Sequence, residues 1–232
     1  MFTRSAAFYD AVYGFKDYGR EADLLVARIQ EHKRSPGRAL LDVACGTGAH
    51  LAFLSADYQV EGLDLDPEIL AVARQKLPRV PFHQGDMTTF DLGRRFDVVT
   101  CLFSSVGYVK TADRLRLAVA NMARHLLPGG VLLVEPWFSA ETFQSGTLHS
   151  LFVDQPDLKI ARMNISRVEG DLSIIDFHYL MGTPAGIESF TERHELGLFT
   201  RDEVVGAFEA AGLETSYDAD GLCGRGLVIG KR

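Results

Sequence analysis

Three carboxylates and two glycines form the chemically suggestive set in this chain. Asp42, Asp64 and Asp86 lie at or near the ends of apolar, strand-like runs. Gly46 and Gly48 follow the first of them in Leu40-Leu41-Asp42-Val43-Ala44-Cys45-Gly46-Thr47-Gly48-Ala49-His50. An apolar strand that runs into small residues and then a helix lets the backbone turn tightly and approach a ligand closely. Asp64, at the end of the next strand, can accept both hydrogen bonds of a ribose diol. Asp42 can orient the turn or a polar ligand group. Asp86, in Gly85-Asp86-Met87, can accept from an adenine amine. A single strand-end Asp is often only a helix cap or turn former. Three at successive sheet edges together describe a site for a nucleotide-like ligand.

Other chemistries fit less well. The dinucleotide fingerprint is G-x-G-x-x-G/A, and Gly46-Thr47-Gly48-Ala49-His50-Leu51 lacks its third small residue. No G-x-x-x-x-G-K-[ST] phosphate loop lies near this turn. The histidines, acids and cysteines show no metal-ligand spacing, so no metal is expected. The 232 residues are 47% hydrophobic and 24% charged, enough for one sizeable core or two small ones. A net charge of -7 disfavours a nonspecific nucleic-acid or membrane-surface binder. No apolar run reaches the ~18 residues of a membrane span. Three scattered cysteines suggest reduced thiols, and Met1-Phe2-Thr3-Arg4-Ser5-Ala6 leads into no signal-peptide core. The expectation is a cytoplasmic protein with neither nucleic-acid nor membrane partners.

The elements that must position these residues read as follows. A short aromatic helix over 5–14 and a longer one from Tyr18 to Lys33 form an N-terminal helical lid, 1–37. A core over 38–136 alternates strands (Arg38 to Val43, Tyr58 to Asp64, Val80 to Gln84, Arg95 to Cys101, Val131 to Glu135) with helices, the last of these from Asp113 to Leu127. That alternation predicts a parallel α/β sheet with helices on both faces. An insertion over 137–199 carries three strand-like runs, Ile160–Val168, Leu172–Met181 and Ser189–Leu198, which predict an antiparallel layer. Residues 200–232 add a helix, Arg201 to Ala211, and a closing hairpin.

Four stretches together resemble the class I S-adenosylmethionine-dependent methyltransferases: Leu41 to Gly48, Gly62-Leu63-Asp64, Gly85-Asp86-Met87 and Leu127-Pro128-Gly129-Gly130. The resemblance implies a Rossmann-like, seven-stranded, mostly parallel sheet with its last strand antiparallel, and S-adenosyl-L-methionine as cofactor. By it, Gly46 and Gly48 approach the cofactor's amino-acid end, with Asp42, Ala44 and His50 in the same loop. Asp64 takes the ribose and Asp86 the adenine, which Leu65 and Met87 flank.

A narrower resemblance runs over nearly the whole chain, to the N,N-dimethyltransferases of nucleotide-linked 3-amino deoxysugars of the desosamine and mycaminose type. It is carried by Phe8-Tyr9-Asp10, Lys16-Asp17-Tyr18, Val99 to Gly107, Val134-Glu135-Pro136-Trp137, His178-Tyr179, His194 and Gly224-Arg225-Gly226-Leu227. It implies in-line methyl transfer to the amine of a dTDP-linked aminosugar, in antibiotic biosynthesis. Tyr108 stands where those enzymes place a histidine after Ser-Ser-Ile-Gly, and one tryptophan, Trp137, stands where they tend to have two. Tyr108 and Tyr18 are the candidate catalytic pair. Tyr9, Tyr13, Trp137, His178 and His194 are candidates for the acceptor pocket, and Arg225 and Arg167 for the substrate pyrophosphate. The competing readings are another small amine or hydroxyl acceptor, and a cofactor-binding protein without turnover. The insertion is also a candidate homodimer surface.

Overall fold

The computed structural model describes residues 4–232; the first three residues of the expected lid lie outside it. Parallel strands β1 (Ala39–Val43), β2 (Gln59–Asp64), β3 (Phe82–Gln84), β4 (Phe96–Cys101) and β5 (Leu126–Val134) form most of the main sheet. Helices α3 (Ala49–Leu54), α4 (Pro67–Lys76) and α5 (Ala112–Arg124) connect them; α1 (Tyr9–Val12) and α2 (Tyr18–His32) come first. After β6 (Leu148–Gln155), β7 (Leu158–Glu169), β8 (Leu172–Thr183) and β9 (Gly186–Gly197), the chain returns through α6 (Arg201–Ala210) to β10 (Glu214–Asp218) and β11 (Leu227–Lys231). The main sheet has the order β10-β11-β5-β4-β1-β2-β3, with β11 antiparallel to both its neighbours. Its central strands are buried on both faces, as their continuous apolar runs require.

Local chemistry sets the helix starts. Asp66 caps α4 by accepting from the Glu68 N–H, and Pro67 fills the first helical position, where a missing N–H is harmless. Thr200 and Glu203 form a reciprocal capping box on α6.

Two sequence-based boundaries are corrected. α5 stops at Arg124, and β5 begins at Leu126, ahead of the Pro-Gly-Gly expected to divide them. Leu126 pairs with Phe96 across a register shift, so the irregular residues lie inside the strand. The insertion has four antiparallel strands, in the order β6-β7-β8-β9, where three were expected. β6 is an edge strand, mostly exposed, and its mixed residues carry little of the apolar signal that marks a buried strand.

The N-terminal segment is tied to both halves. Glu192 on β9 accepts from the Arg4 and Ser5 N–H groups at 2.7 and 3.0 Å. Asp10 accepts from Thr47 Oγ1 at 2.6 Å and pairs with Lys76 at 2.5 Å. The residues ahead of α2 therefore run between the inner face of the insertion and the Gly46 turn.

Candidate functional site

The carboxyl ends of β1 and β4 carry unusual backbone. Ala44 (φ 59°), Phe103 (φ 51°) and Ser104 (φ 61°) are left-handed without being glycine. Such strain persists only where neighbours hold it. At β4 the neighbours are identifiable: the Phe103 N–H donates to Glu135 Oε2 at 2.6 Å, and Ser104 Oγ donates to the Pro136 carbonyl at 2.8 Å. The strain re-aims the chain into the 3-10 turn Ser105–Val109, which presents Tyr108.

A cleft of about 780 Å³ opens at the ends of β1, β2 and β3. Ala44, Gly46, Asp64, Leu65, Asp86 and Met87 line it, as their positions in sequence suggested. Ile69 and Arg114 join them without having been foreseen. Asp64 accepts from the Gly46 N–H at 2.9 Å and the Asp66 N–H at 3.0 Å, so it also shapes the turn. Burial raises its pKa, partly offset by those N–H groups. At Asp86 partial burial opposes ionisation, but hydrogen bonds from Thr88 and Arg114 outweigh it and lower the pKa. One Asp86 oxygen accepts from Thr88 and the other from Arg114 at 3.0 Å.

Gly48 lines none of these spaces. Its φ is 74°, and a Cβ there would meet Leu77 at 3.0 Å and Phe82 at 3.4 Å. It caps α3 in the left-handed region, a backbone conformation that glycine adopts without a Cβ penalty, so it serves the turn.

A smaller space beside the turn is lined by Asp42, His50 and Tyr18, with Tyr9 shared. Tyr18, expected among the catalytic and acceptor groups, sits here instead, because α2 packs against α3 and sets Tyr18 edge-on to His50 at 4.9 Å between ring centres. Its hydroxyl is buried with no hydrogen-bond partner among the described residues. His50 Nε2 lies 2.8 Å from Glu21, which also pairs with Lys16 at 2.6 Å. Asp42 accepts from Thr100 Oγ1 at 2.7 Å. Burial nevertheless pushes its pKa up to about 6, against the pull of His50 and Thr100.

That shift makes a stability prediction. An ordinary unfolded Asp titrates near ~3.9. Folding raises the value, so the folded state holds the proton more tightly, and the charge destabilises it increasingly from pH 4 to 6 and constantly above. Asp42→Asn keeps an acceptor for Thr100 and removes the charge. Urea denaturation should show the variant gaining on the parent across that window, to a plateau on the order of 2 to 3 kcal/mol. A difference independent of pH would refute the assignment.

A second cavity, about 1090 Å³, lies between the main sheet's edge and the inner face of the insertion. Tyr9, Tyr13, Tyr108, Trp137, His194 and Arg225 line it, as expected, and Phe177 and Arg162 do so without having been foreseen. Tyr9, Ser105 and Tyr108 border both this cavity and the Asp64 cleft. Tyr108 Oη is 2.6 Å from His194 Nδ1. Burial pushes the Tyr108 phenol well above its ordinary pKa, and burial with the nearby Arg162 lowers His194 to about 3. Arg162 lies over the Phe177 ring at 4.5 Å, donates to the Tyr13 hydroxyl at 3.3 Å, and is ion-paired to no carboxylate among the described residues. Arg225 pairs at 3.1 Å with the fully buried Glu135, while its Nε is buried with no hydrogen-bond partner among the described residues. Trp137 donates to Ser173 Oγ at 2.9 Å.

Arg167 and His178 are not brought to this cavity. Arg167 pairs with Glu169 at 2.6 Å and Asp176 at 2.7 Å, and His178 is exposed beside Thr191. Strand alternation is the reason: on β7 and β8, Arg162, Ile175, Phe177 and Tyr179 face inward, leaving Arg167 and His178 on the other face. Sequence alone could not choose between the two parities. The Ile175-x-Phe177-x-Tyr179 alternation leans toward one parity on β8, but Ile174 and Leu180 are apolar on the other and leave it unsettled. No group of three or more His, Cys, Asp or Glu side chains with metal-binding geometry occurs among the described residues, and no helix there is long and apolar enough to cross a membrane.

Residues 40–130 match the Methyltransferase domain family. Over 230 residues the chain is 44% identical to dTDP-3-amino-3,6-dideoxy-alpha-D-glucopyranose N,N-dimethyltransferase of Streptomyces fradiae, covering 97% of this chain and 89% of that one. It is 40% identical to dTDP-4-amino-2,3,4,6-tetradeoxy-D-glucose N,N-dimethyltransferase of Saccharopolyspora spinosa, covering 98% and 92%. Among solved structures, S-adenosylmethionine-bound CalS10, an amino pentose methyltransferase from Micromonospora echinaspora involved in calicheamicin biosynthesis, superposes with a TM-score of 0.87 at 42% identity, covering 100% of this chain and 98% of that one. This chain therefore belongs to the S-adenosylmethionine-dependent methyltransferases, within the family of the aminosugar N-methyltransferases.

Proposed function

We propose that this protein transfers two methyl groups in succession from S-adenosylmethionine to the amino group of a dTDP-linked deoxyaminosugar. The observation that carries this reading is the shared wall of Tyr9, Ser105 and Tyr108, where the Asp64 cleft adjoins the aromatic cavity. The residues of the cleft suit the cofactor. Asp64 suits the ribose diol, and Asp86 the adenine with Leu65, Ile69 and Met87 around it. The unpartnered Tyr18 hydroxyl, the Asp42 carboxylate and His50 suit an amino acid's charged ends, and the Gly46 backbone leaves room beside them. When bound, S-adenosylmethionine supplies an electrophilic methyl on a sulfonium whose sulfur keeps the electron pair of the broken bond.

The protein's own residues align the acceptor. An amine attacks through a neutral nitrogen, and an aromatic, partly dehydrated cavity favours that form. Holding nucleophile and electrophile in line supplies much of the rate, so no strong base is required before attack. Tyr9, Tyr13, Trp137 and Phe177 would enclose the sugar. Arg225 and Arg162 offer positive charge to the pyrophosphate of a substrate that, like the protein, is negative; a guanidinium fork suits phosphate oxygens.

Purified protein incubated with labelled S-adenosylmethionine and dTDP-3-amino or dTDP-4-amino deoxysugars should give mono- and then dimethylated product by mass spectrometry. Methylation of hydroxyl analogues alone would overturn the reading. Arg162→Met should raise KM for the nucleotide sugar roughly tenfold while leaving kcat within about twofold, as expected for a lost charge-assisted contact made equally in ground and transition states. An equal effect on the same sugar without its nucleotide would exclude the phosphate role.

A further inference from the structure

We propose that His194 is a positioning residue: it takes the Tyr108 hydroxyl proton in a hydrogen bond, leaving the phenol oxygen able only to accept from the acceptor amine. The inference rests on the amine-acceptor reading above. Its geometric basis is the 2.6 Å contact between Tyr108 Oη and His194 Nδ1, at the wall common to the two cavities.

The direction of that bond follows from chemistry. A phenol is a stronger donor than a neutral imidazole N–H, and an imidazole nitrogen is the stronger acceptor. Nδ1 is also the one hydrogen-bond partner of the Tyr108 hydroxyl among the described residues, so the reverse sense would leave the hydroxyl proton without an acceptor among them. His194 is 1% exposed and is held edge-on to Phe177 at 5.1 Å between ring centres, so the ring has little freedom to turn away. Burial keeps it neutral, as an acceptor must be.

The consequence concerns the amine's lone pair. A free phenol O–H beside an amine donates to that lone pair, the same electrons that must form the new N–C bond. A phenol whose proton is already given to His194 can only receive an N–H, which turns the lone pair away from the tyrosine. The lone pair then forms the N–C bond as the methyl's bond to sulfur breaks with its electrons on sulfur, and the resulting ammonium releases its proton to bulk water. A primary amine and its monomethyl product each have an N–H for Tyr108. The neutral dimethyl product has none, so the anchor is lost after the second transfer.

The test is a double-mutant cycle on kcat with the aminosugar acceptor. In the parent, Tyr108→Phe should lower kcat roughly tenfold. His194→Leu keeps the volume but cannot accept, so it should also lower kcat; adding Tyr108→Phe to it should then raise kcat about threefold, because the misdirected hydroxyl is removed. His194→Asn, with an amide oxygen to accept, should retain most of the parental kcat. Tyr108→Phe lowering kcat in both backgrounds overturns the inference and leaves the proposed function standing. Turnover of a hydroxyl sugar alone overturns both. Should His194→Leu fail to fold, the 15N shifts of His194 in the parent decide: an unprotonated Nδ1 with a protonated Nε2 supports the inference, and a protonated Nδ1 overturns it.

Discussion

Asp64→Ala is expected to weaken S-adenosylmethionine binding by roughly 10²- to 10³-fold in a calorimetric titration. The size of the loss follows from what the carboxylate holds. It accepts the Gly46 N–H at 2.9 Å and the Asp66 N–H at 3.0 Å, and it lines the cleft where a ribose diol would donate to it. A hydrogen bond to a charged group contributes about 1.5–3 kcal/mol, and the diol offers two. Losing the turn contact adds disorder at Gly46, whose left-handed backbone keeps the cleft open beside Ile69. Asp64→Asn keeps one acceptor oxygen and should fall between the two. The fold should survive, because the core contribution of β2 comes from Val60 and Leu63 and not from its last residue. An affinity within threefold of the parent's would remove Asp64 from the cofactor site.

Glu135→Ala is expected to cost about 3–5 kcal/mol of stability, the range for breaking a buried ion pair from one side. Glu135 is fully buried and gathers three donors: the Phe103 N–H at 2.6 Å, Cys223 Sγ at 2.9 Å and Arg225 at 3.1 Å. Without it the Arg225 guanidinium loses its counter-charge and the strained Phe103 loses its clamp. For a chain of this length, the melting temperature should fall by roughly 10 °C. Acceptor KM should rise as well, because Phe103 and Arg225 both line the aromatic cavity. Glu135→Gln retains volume and one acceptor, and should lose less. A melting temperature within 2 °C of the parent's, with unchanged KM, would show that the carboxylate does not hold this edge together.

The cleft proposed for the cofactor was legible in the sequence because it is local. The Asp42–Gly48 turn, Asp64 and Asp86 sit at the ends of consecutive strands, and a parallel α/β sheet brings successive strand ends to one edge whatever the side-chain details. Chain order alone therefore assembled Ala44, Gly46, Asp64, Leu65, Asp86 and Met87 in one cleft. Gly48 shows the limit of that logic: the motif marks a glycine, but only the tertiary structure shows that Leu77 and Phe82 crowd the place a Cβ would take.

The cavity proposed for the acceptor needed tertiary structure, because its parts are distant in sequence and come from strands whose facing is a matter of parity. Arg162 and Arg167 are five residues apart on one strand, so they point to opposite faces; only the packed sheet decided that Arg162 enters the cavity and Arg167 pairs with Asp176 outside it. The same parity separated His194 from His178. The Tyr108–His194 contact spans 86 residues, and nothing in the local chain at either end specifies it. What the sequence determined by itself is the fold class and the gathering of Asp64, Leu65, Asp86 and Met87 at one sheet edge, where short-range pattern and sheet topology coincide. What only the tertiary structure decided is which side chains meet across the insertion, because docking two sheets selects one face of each strand.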